Sequence, residues 1–206
     1  GVLLVVAALA RPQWGTREEI ELQPAREVLI ALDLSRSMLA EDVAPSRLAR
    51  ARLLIEGLLG ELKGERVGLL LFAGTAFLQS PLSADYEVMR DLLPDLDVGY
   101  LPQGGTDYRG LLEVAFEAFG QEPGADRFLI VLSDGESQSE GWRELLPRLR
   151  ESGIRVIALG VGSEAGALIP DAAGGVVKDE HGAAVLSRLE SGSLRELADV
   201  SDGVYR

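Results

Sequence analysis

Four predominantly apolar runs recur along the chain. They cover residues 28–34, 67–73, 128–135 and 154–162. A run of this length, bounded by turn-forming residues, is typical of a strand that is buried on both faces of a parallel sheet. The runs at 28–34 and 128–135 also contain an aspartate at or near their end. The pattern therefore predicts buried strands that place carboxylates at one edge of a sheet.

The segments between these runs have the periodicity of amphipathic helices. Ser46 is a suitable N-cap for a helix that begins at Arg47, and the apolar residues that follow fall on one face. Further helices are predicted from Asp85 to about Leu93, from Tyr108 to Phe119, from Gly141 to Glu151 and from Ser193 to about Val200. We expect Pro94 to end the first of these and Pro147 to kink or shift the third. Thr106 or Asp107 would cap the helix at Tyr108.

Two connections are too short for a parallel crossover. A Gly74-Thr75 turn leads into residues 76–82, which predicts an antiparallel partner for the preceding strand. Residues 176–178 and 184–186 flank a turn and predict a small β-hairpin insertion within about 163–187. Strands that alternate with helices predict an α/β fold, with a doubly wound, mostly parallel, Rossmann-like sheet and helices on both faces. This sheet would have one antiparallel edge strand, and residues 203–205 would form its last strand.

The first 25 residues differ from the rest of the chain. Residues 1–10 are entirely apolar but too few to span a bilayer, which takes about 20 residues. Arg11, Pro12 and Trp14 follow, as at a membrane interface. We interpret residues 1–25 as the remnant of a truncated transmembrane helix and a linker, followed by a domain at 26–206. A buried strand or a signal-peptide remnant is the alternative.

Composition excludes several classes of function. The formal net charge of −13 argues against a nucleic acid partner, because phosphate binding needs a basic surface. The chain has no cysteine, which excludes a disulfide scaffold and a thiol nucleophile. A single histidine leaves no His-rich zinc site and disfavours Ser-His-Asp catalysis.

Oxygen-bearing side chains cluster after the first predicted strand. Asp33, Ser35 and Ser37 occupy alternate positions, so their side chains can point to one side of an extended loop. Carboxylate and hydroxyl oxygens suit a hard cation, with Mg²⁺ as the first candidate and Mn²⁺ or Ca²⁺ as alternatives. Each residue alone is a weak signal.

Two later elements complete a set of ligands for this cation. Thr106 ends a glycine-rich loop at a helix start, and Asp134 lies at the end of the third buried strand. Ligands of parallel sheets bind outside the carboxyl ends of the strands, where these elements would meet. We therefore predict a metal site formed by Asp33, Ser35, Ser37, Thr106 and Asp134. A carboxylate from a partner protein, on Asp or Glu, would complete the cation's coordination.

The same residues carry a family resemblance that covers nearly all of residues 26–206. The pattern D-x-S-x-S, a later Thr and a later Asp resembles the metal-ion-dependent adhesion site (MIDAS) of von Willebrand factor type A (VWA) domains. Four segments more specifically resemble the bacterial BatA/BatB membrane proteins: residues 10–15, 31–48, 72–86 and 103–112. Arg36 departs from the pattern, because glycine is usual between the two serines. This departure leaves the predicted ligands intact and places a cation beside them.

The resemblance implies a cellular setting for the chain. It implies a domain between transmembrane helices in the bacterial inner membrane, and roles in envelope stress or aerotolerance. It also implies a working link to MoxR-type AAA+ ATPases and to other Bat proteins. The acidic residues Glu18, Glu19 and Glu21 after the apolar segment favour the periplasmic or extracytoplasmic side.

Three functional hypotheses follow. The first is a binding module without enzymatic activity. The second is a Mg²⁺-dependent phosphoryl-transfer or phospho-acceptor domain with Asp33 as nucleophile. Ser35 disfavours it, because a dehalogenase-type phosphatase needs a second aspartate there, and the chain has no Walker motif. The third is a structural subunit whose cation only stabilises the loops. The sequence does not separate the first hypothesis from the third.

Overall fold

The computed structural model describes residues 26–120, 124–137, 139–171 and 173–206. The predicted transmembrane remnant and linker at residues 1–25 therefore lie outside the described residues. Within the described ranges, none of the helices combines the length and apolar character that a membrane crossing requires.

A six-stranded mixed sheet forms the centre of the fold. Its strands are β1 (Arg26–Asp33), β2 (Arg66–Phe72), β3 (Ala76–Ser83), β4 (Asp126–Ser133), β5 (Ile154–Gly160) and β8 (Val204–Tyr205). Their order is β3-β2-β1-β4-β5-β8. Only β3 runs antiparallel to its neighbour, β2, and the other pairs are parallel. This arrangement confirms the predicted α/β fold with one antiparallel edge strand.

Five α-helices cover the sheet in the described residues. They are α1 (Arg47–Glu61), α2 (Glu87–Leu92), α3 (Tyr108–Phe119), α4 (Leu146–Glu151) and α5 (Ser191–Val200). Short 3₁₀ turns lie at Arg36–Leu39, Leu93–Asp95 and Gly141–Leu145. The Ser46 hydroxyl caps α1 by accepting a hydrogen bond from the amide of Ala49, as predicted.

The apolar side chains of each central strand divide between two cores. In β1, Val28, Ile30 and Leu32 face the core beneath α1 and α2. Leu29 and Ala31 face the core beneath α3, α4 and α5. Because successive strand side chains point to opposite faces, a run that is apolar throughout can fill both cores. The sheet is thereby buried on both sides, and its carboxyl edge becomes the place where polar loops gather.

Two local predictions need correction, and a third is confirmed. The second helix begins at Glu87 rather than Asp85, and Pro94 continues it as a 3₁₀ turn because a proline fits the first turn of a helix. The helical region predicted from Gly141 to Glu151 is divided into a 3₁₀ turn and α4, with Pro147 in the first turn of α4, which agrees with the kink or shift expected at this proline. The last helix begins at Ser191 and has Glu190 at its N-cap, so Ser193 is not the cap.

The predicted insertion contains the expected turn and a second, earlier one. Short strands β6 (Ala167–Leu168) and β7 (Leu186–Ser187) pair antiparallel at its base. Isolated antiparallel bridges join Pro170 to Val176 and Lys178 to Ala184, and each closes a separate turn. The second of these is the turn that the sequence predicts. We call residues 167–187 the insertion hairpin.

Candidate metal centre

Asp33 lies at the carboxyl end of β1 with no exposed surface. One carboxylate oxygen, Oδ1, accepts the amide hydrogen of Ser35 at 2.8 Å. The other, Oδ2, accepts a hydrogen bond from the Ser133 hydroxyl at 2.5 Å. Both oxygens are therefore held in place by donors from two neighbouring strand ends, β1 and β4.

Ser35 and Ser37 are both buried in the loop that follows β1. The chain turns into the 3₁₀ turn Arg36–Leu39 at this point, and this turn brings the two hydroxyl oxygens to 3.0 Å from each other. Adjacent oxygens in an octahedral magnesium shell are about 2.8–3.0 Å apart, given bonds of ~2.0–2.1 Å at right angles. The serine pair thus has a spacing that suits two neighbouring ligands of one small cation.

Asp134 follows β4 and is also fully buried. Its carboxylate interacts with the Ser37 side chain through a hydrogen bond. Its Oδ1 accepts the amide hydrogen of Glu136 at 3.3 Å. Hydrogen bonds therefore link four of the five predicted ligands: Asp33, Ser35, Ser37 and Asp134. They lie at the carboxyl edge of the sheet between β1 and β4, which we call the rim.

Thr106 reaches the same rim from the β2 side and is 4% exposed. Its loop is held by the backbone: Gly74 donates to the carbonyl of Gln103 at 3.1 Å, and Asp107 donates to the carbonyl of Ala73 at 2.7 Å. Asp107, not Thr106, caps α3 by accepting the amide hydrogen of Arg109. Within the described part of the chain, no hydrogen bond joins the Thr106 hydroxyl to the other four predicted ligands.

Glycines permit two of the close approaches at this rim. A side chain at Gly74 would collide with the carbonyl of Gly104, so the turn after β2 could not receive the Thr106 loop. Gly135 has a φ of +83°, and a side chain there would collide with the carbonyl of Glu190. The backbone after Asp134 therefore turns sharply enough to keep that carboxylate at the rim.

Without a bound cation, burial disfavours the charged forms of Asp33 and Asp134. Burial raises the pKa of Asp33 from 3.8 to about 7, and the charge of Asp134 adds to this effect. Burial also raises the pKa of Asp134, although the Ser37 hydrogen bond and the Arg47 guanidinium oppose the shift. A divalent cation would favour the charged form of both groups, so the local electrostatics fit the predicted ligand set.

The donor set itself fits a hard cation rather than a soft one. It consists of two carboxylates and three hydroxyls, with no nitrogen or sulfur. The described residues contain no cluster of three or more His, Asp or Glu side chains suited to a metal. A cation at this rim would therefore depend on the serine and threonine hydroxyls as much as on charge.

Arg47 is a central residue of the site that sequence reasoning missed. Its side chain is fully buried, and Nη1 donates to Asp134 Oδ2 at 2.9 Å. Nε and Nη2 each donate to Asp42 at 2.9 Å. Burial alone would lower the pKa of Arg47, but its hydrogen bonds and ion pairs with Asp42 and Asp134 raise it overall. The guanidinium thus compensates Asp134, whereas Asp33 has no cationic partner in the described residues.

The same guanidinium ties the insertion hairpin to the site. Nη1 also donates to Ser187 Oγ at 2.6 Å, and Nη2 donates to the Ser187 carbonyl at 3.1 Å. The Ser187 hydroxyl in turn donates to Glu136 at 2.6 Å. Asp42 accepts hydrogen bonds from both the amide and the hydroxyl of Ser163, just before the hairpin. The base of the hairpin is therefore fixed relative to Asp134.

Ser133 is the second missed residue. Besides its bond to Asp33, its hydroxyl oxygen accepts the amide hydrogen of Gly135 at 3.0 Å and contacts the Tyr108 hydroxyl at 3.1 Å. Its position directly before Asp134 was a usable signal, because a polar residue that ends a buried strand needs a polar partner.

Comparison with known proteins identifies the family. Residues 28–136, about half of the chain, match the model of the von Willebrand factor type A domain. The chain belongs to the von Willebrand factor type A domain family. This VWA domain aligns over 88% of its length with an aerotolerance-related membrane protein from Bacteroides fragilis, at 34% identity, 90% coverage of that chain and a TM-score of 0.81. BatB from Bacteroides thetaiotaomicron aligns similarly, at 36% identity, 88% and 89% coverage and a TM-score of 0.81.

Two more distant relatives match this chain over only part of their own length. An uncharacterized protein of Borreliella burgdorferi is 27% identical over 164 residues, which are 78% of this chain and 48% of that protein. A UPF0353 protein of Nocardia farcinica is 27% identical over 86% of this chain and 56% of its own length. The chain spans about half the length of these two relatives. The resemblance to BatA/BatB proteins is nevertheless confirmed, and the chain is a VWA domain of the Bat-like, aerotolerance-related kind.

Proposed function

We propose that this VWA domain is a divalent-cation-dependent protein-interaction domain without enzymatic activity. Asp33, Ser35, Ser37, Thr106 and Asp134 would hold Mg²⁺, Mn²⁺ or Ca²⁺. An Asp or Glu side chain of a partner protein would complete the coordination. The bound cation would supply the positive charge that captures this carboxylate.

One observation carries the proposal: two fully buried carboxylates meet two closely spaced hydroxyls at the rim between β1 and β4. Burying charges of like sign costs free energy unless a cation compensates them. Arg47 pairs with Asp134 at 2.9 Å but not with Asp33. A small divalent cation would offset the remaining charge.

The chain's own residues have distinct parts in this function. Ser35 and Ser37 would present their hydroxyl oxygens to the cation, and Thr106 would do so from the adjacent loop. Asp33, both of whose oxygens already accept hydrogen bonds, would act mainly through its charge. Arg47 would keep Asp134 ionised and oriented.

The cellular part of the proposal rests on the Bat-like relatives. We propose that the full-length protein is anchored in the bacterial cell membrane with this domain on the extracytoplasmic side. Its partner would be a MoxR-type AAA+ ATPase or another Bat protein, in a process connected with envelope stress or aerotolerance. The similarity to a protein described as an aerotolerance-related membrane protein supports this setting.

Titration calorimetry with Mg²⁺ and Mn²⁺ tests the metal site. We expect saturable binding to the 206-residue chain and its loss in Asp33→Ala, with the fold retained because Asp33 lies at the rim rather than in either core. Asp91→Ala is a matched control, since Asp91 is exposed on α2. Equal metal binding by Asp33→Ala and the unmutated chain would contradict the proposed metal site.

Ser35→Ala and Thr106→Ala should weaken metal-dependent partner binding more than they lower the free energy of unfolding.

Two further measurements separate the alternatives. Turnover of a generic phosphate ester that requires Mg²⁺ and Asp33 would support phosphoryl transfer instead. Metal binding with no metal-dependent retention of any acidic partner or peptide would support a cation that only stabilises the loops.

A further inference from the structure

A groove of about 330 Å³ adjoins the candidate metal centre. It lies between the loops that carry the predicted ligands and the insertion hairpin. Its apolar wall is formed by Leu34, Leu39, Val98, Leu101, Pro102 and Val177. Leu34 lies between Asp33 and Ser35 in sequence, and Gly104 of the same groove is two residues from Thr106. The groove therefore adjoins both ligand-bearing loops.

Both sides of the groove are held in place. On the hairpin side, Val177 donates its amide hydrogen to the carbonyl of Ile169 at 2.9 Å, and the hairpin base is tied to Arg47 through Ser187. On the other side, Tyr100 lies between the lining residues Gly99 and Leu101 and stacks on Phe77, with ring centroids 6.2 Å apart. A segment that enters would meet a preformed surface, which reduces the entropy lost on binding.

Arg36 gives the groove a charge preference. Its side chain is exposed and lines the groove, and no hydrogen bond or ion pair within the described residues engages its guanidinium. Because Arg36 lies between Ser35 and Ser37, this cation is next to two predicted ligands in a chain with a net charge of −13. It attracts an acidic segment to an otherwise repulsive surface. Asp171 lines the same groove and disfavours a second acid beside it.

We propose that this groove binds an apolar side chain next to the partner's metal-binding carboxylate, with Arg36 facing the acidic group. The partner's recognition segment is thus an acidic residue flanked by a large aliphatic residue. This inference rests on the proposed function and adds which acidic segments the same site prefers. The metal supplies the general attraction to acids, whereas the groove selects among acidic segments.

Three blocked pentapeptides probe the groove in the presence of Mg²⁺. Their sequences are Gly-Leu-Asp-Leu-Gly, Gly-Gly-Asp-Gly-Gly and Gly-Leu-Asn-Leu-Gly. Amide chemical-shift titrations on the 206-residue chain give the affinity of each peptide. We expect the Leu-flanked acidic peptide to bind about tenfold more tightly than the Gly-flanked one, which is the gain from partly burying a leucine. The Asn peptide should bind more weakly than both acidic peptides.

Substitutions separate the groove from the metal site. Val177→Asp should abolish the preference for leucine while Mg²⁺ binds as before, and its added carboxylate should weaken both acidic peptides. Arg36→Gln should weaken both acidic peptides about equally. Val88→Asp is the matched control, since Val88 is an exposed valine on α2 at 62% exposure, and it should change nothing.

The outcomes distinguish the two proposals. If acidic peptides bind with Mg²⁺ but leucine gives no gain, or if Val177→Asp keeps the gain, the groove proposal is wrong and the metal site stands. If neither acidic peptide binds in a Mg²⁺-dependent manner, the proposed function fails, and the groove proposal fails with it.

Discussion

At the scale of single residues, Ser133 determines the environment of Asp33. Its hydroxyl donates to Asp33 Oδ2 at 2.5 Å and also accepts the amide hydrogen of Gly135. We predict that Ser133→Ala weakens Mn²⁺ binding by roughly tenfold, since the carboxylate loses an orienting donor. It should also lower the free energy of unfolding by about 1–2 kcal/mol, because the Gly135 amide loses its acceptor.

Ser201→Ala is the control for this prediction. Ser201 is likewise buried and accepts the amide hydrogen of Val156 at 3.0 Å, but it contacts none of the predicted ligands. It should cost similar stability in urea unfolding and leave the calorimetric Mn²⁺ affinity unchanged. Equal effects of the two variants on affinity would mean that Ser133 acts on the fold alone.

Some residues of the candidate site could be predicted from the sequence and others could not. Asp33, Ser35, Ser37 and Asp134 could be predicted because their side-chain chemistry and their places at strand ends are visible in the sequence. Arg47 could not, because it follows the Ser46 cap and resembles any helical arginine. Its contact with Asp134 spans 87 positions and depends on where the start of α1 lies relative to the loop after β4.

At the scale of elements, the buried strands were predictable, whereas only some of the helix boundaries were. A long apolar run whose side chains fill both cores is easy to recognise in a sequence. For this reason β1, β2, β4 and β5 lie where they were predicted. Helix starts depend on local backbone geometry that one polar residue does not determine, which is why Ser193 was a wrong cap. The hairpin's turn was predicted, but its base pairing was not, because two-residue strands carry little pattern.

The insertion hairpin yields a prediction of its own. Ser187 Oγ accepts a hydrogen bond from Arg47 and donates one to Glu136, both at 2.6 Å. We expect Ser187→Ala to speed hydrogen exchange at the Val177 and Val185 amides by about tenfold, since the hairpin loses a buried anchor. Exchange in β4 should be unchanged.

Ser191→Ala serves as the comparison for the hairpin. The Ser191 hydroxyl accepts a hydrogen bond from the exposed Arg195 on α5 and from no other side chain of the described residues, so its loss should not alter hairpin exchange. If Ser187→Ala speeds hydrogen exchange equally in the hairpin and in β4, the variant destabilises the whole domain. The hairpin would then not be an independently opening unit.

At the scale of the whole molecule, Asp42 joins parts of the chain that lie far apart in sequence. It accepts two hydrogen bonds from Arg47 at the start of α1 and two from Ser163 ahead of the hairpin. The Arg47 hydrogen bonds are the main reason that its pKa falls from 3.8 to about 2, and Ser163 adds to the shift. Since its side chain is only 5% exposed, solvent screens these interactions weakly.

The lowered pKa makes part of the stability dependent on pH. The unfolded chain takes up a proton at Asp42 near pH 3.8, whereas the folded chain does so near pH 2. The contribution is therefore complete above about pH 5 and is lost as the pH falls towards 2. At neutral pH it is about 2 kcal/mol, and about 1 kcal/mol of it is lost by pH 3.

Urea unfolding of Asp42→Asn and of the unmutated chain at pH 7, 5, 4 and 3 measures this contribution. The stability difference between them should be constant from pH 7 to 5 and should narrow by about 1 kcal/mol by pH 3. Taking the difference is necessary because the raised pKa values of buried Asp33 and Asp134 give the metal-free protein the opposite dependence on pH. A difference that stays constant down to pH 3, or an equal narrowing in the exposed-site variant Asp91→Asn, would show that Asp42 does not couple α1 to the hairpin by its charge.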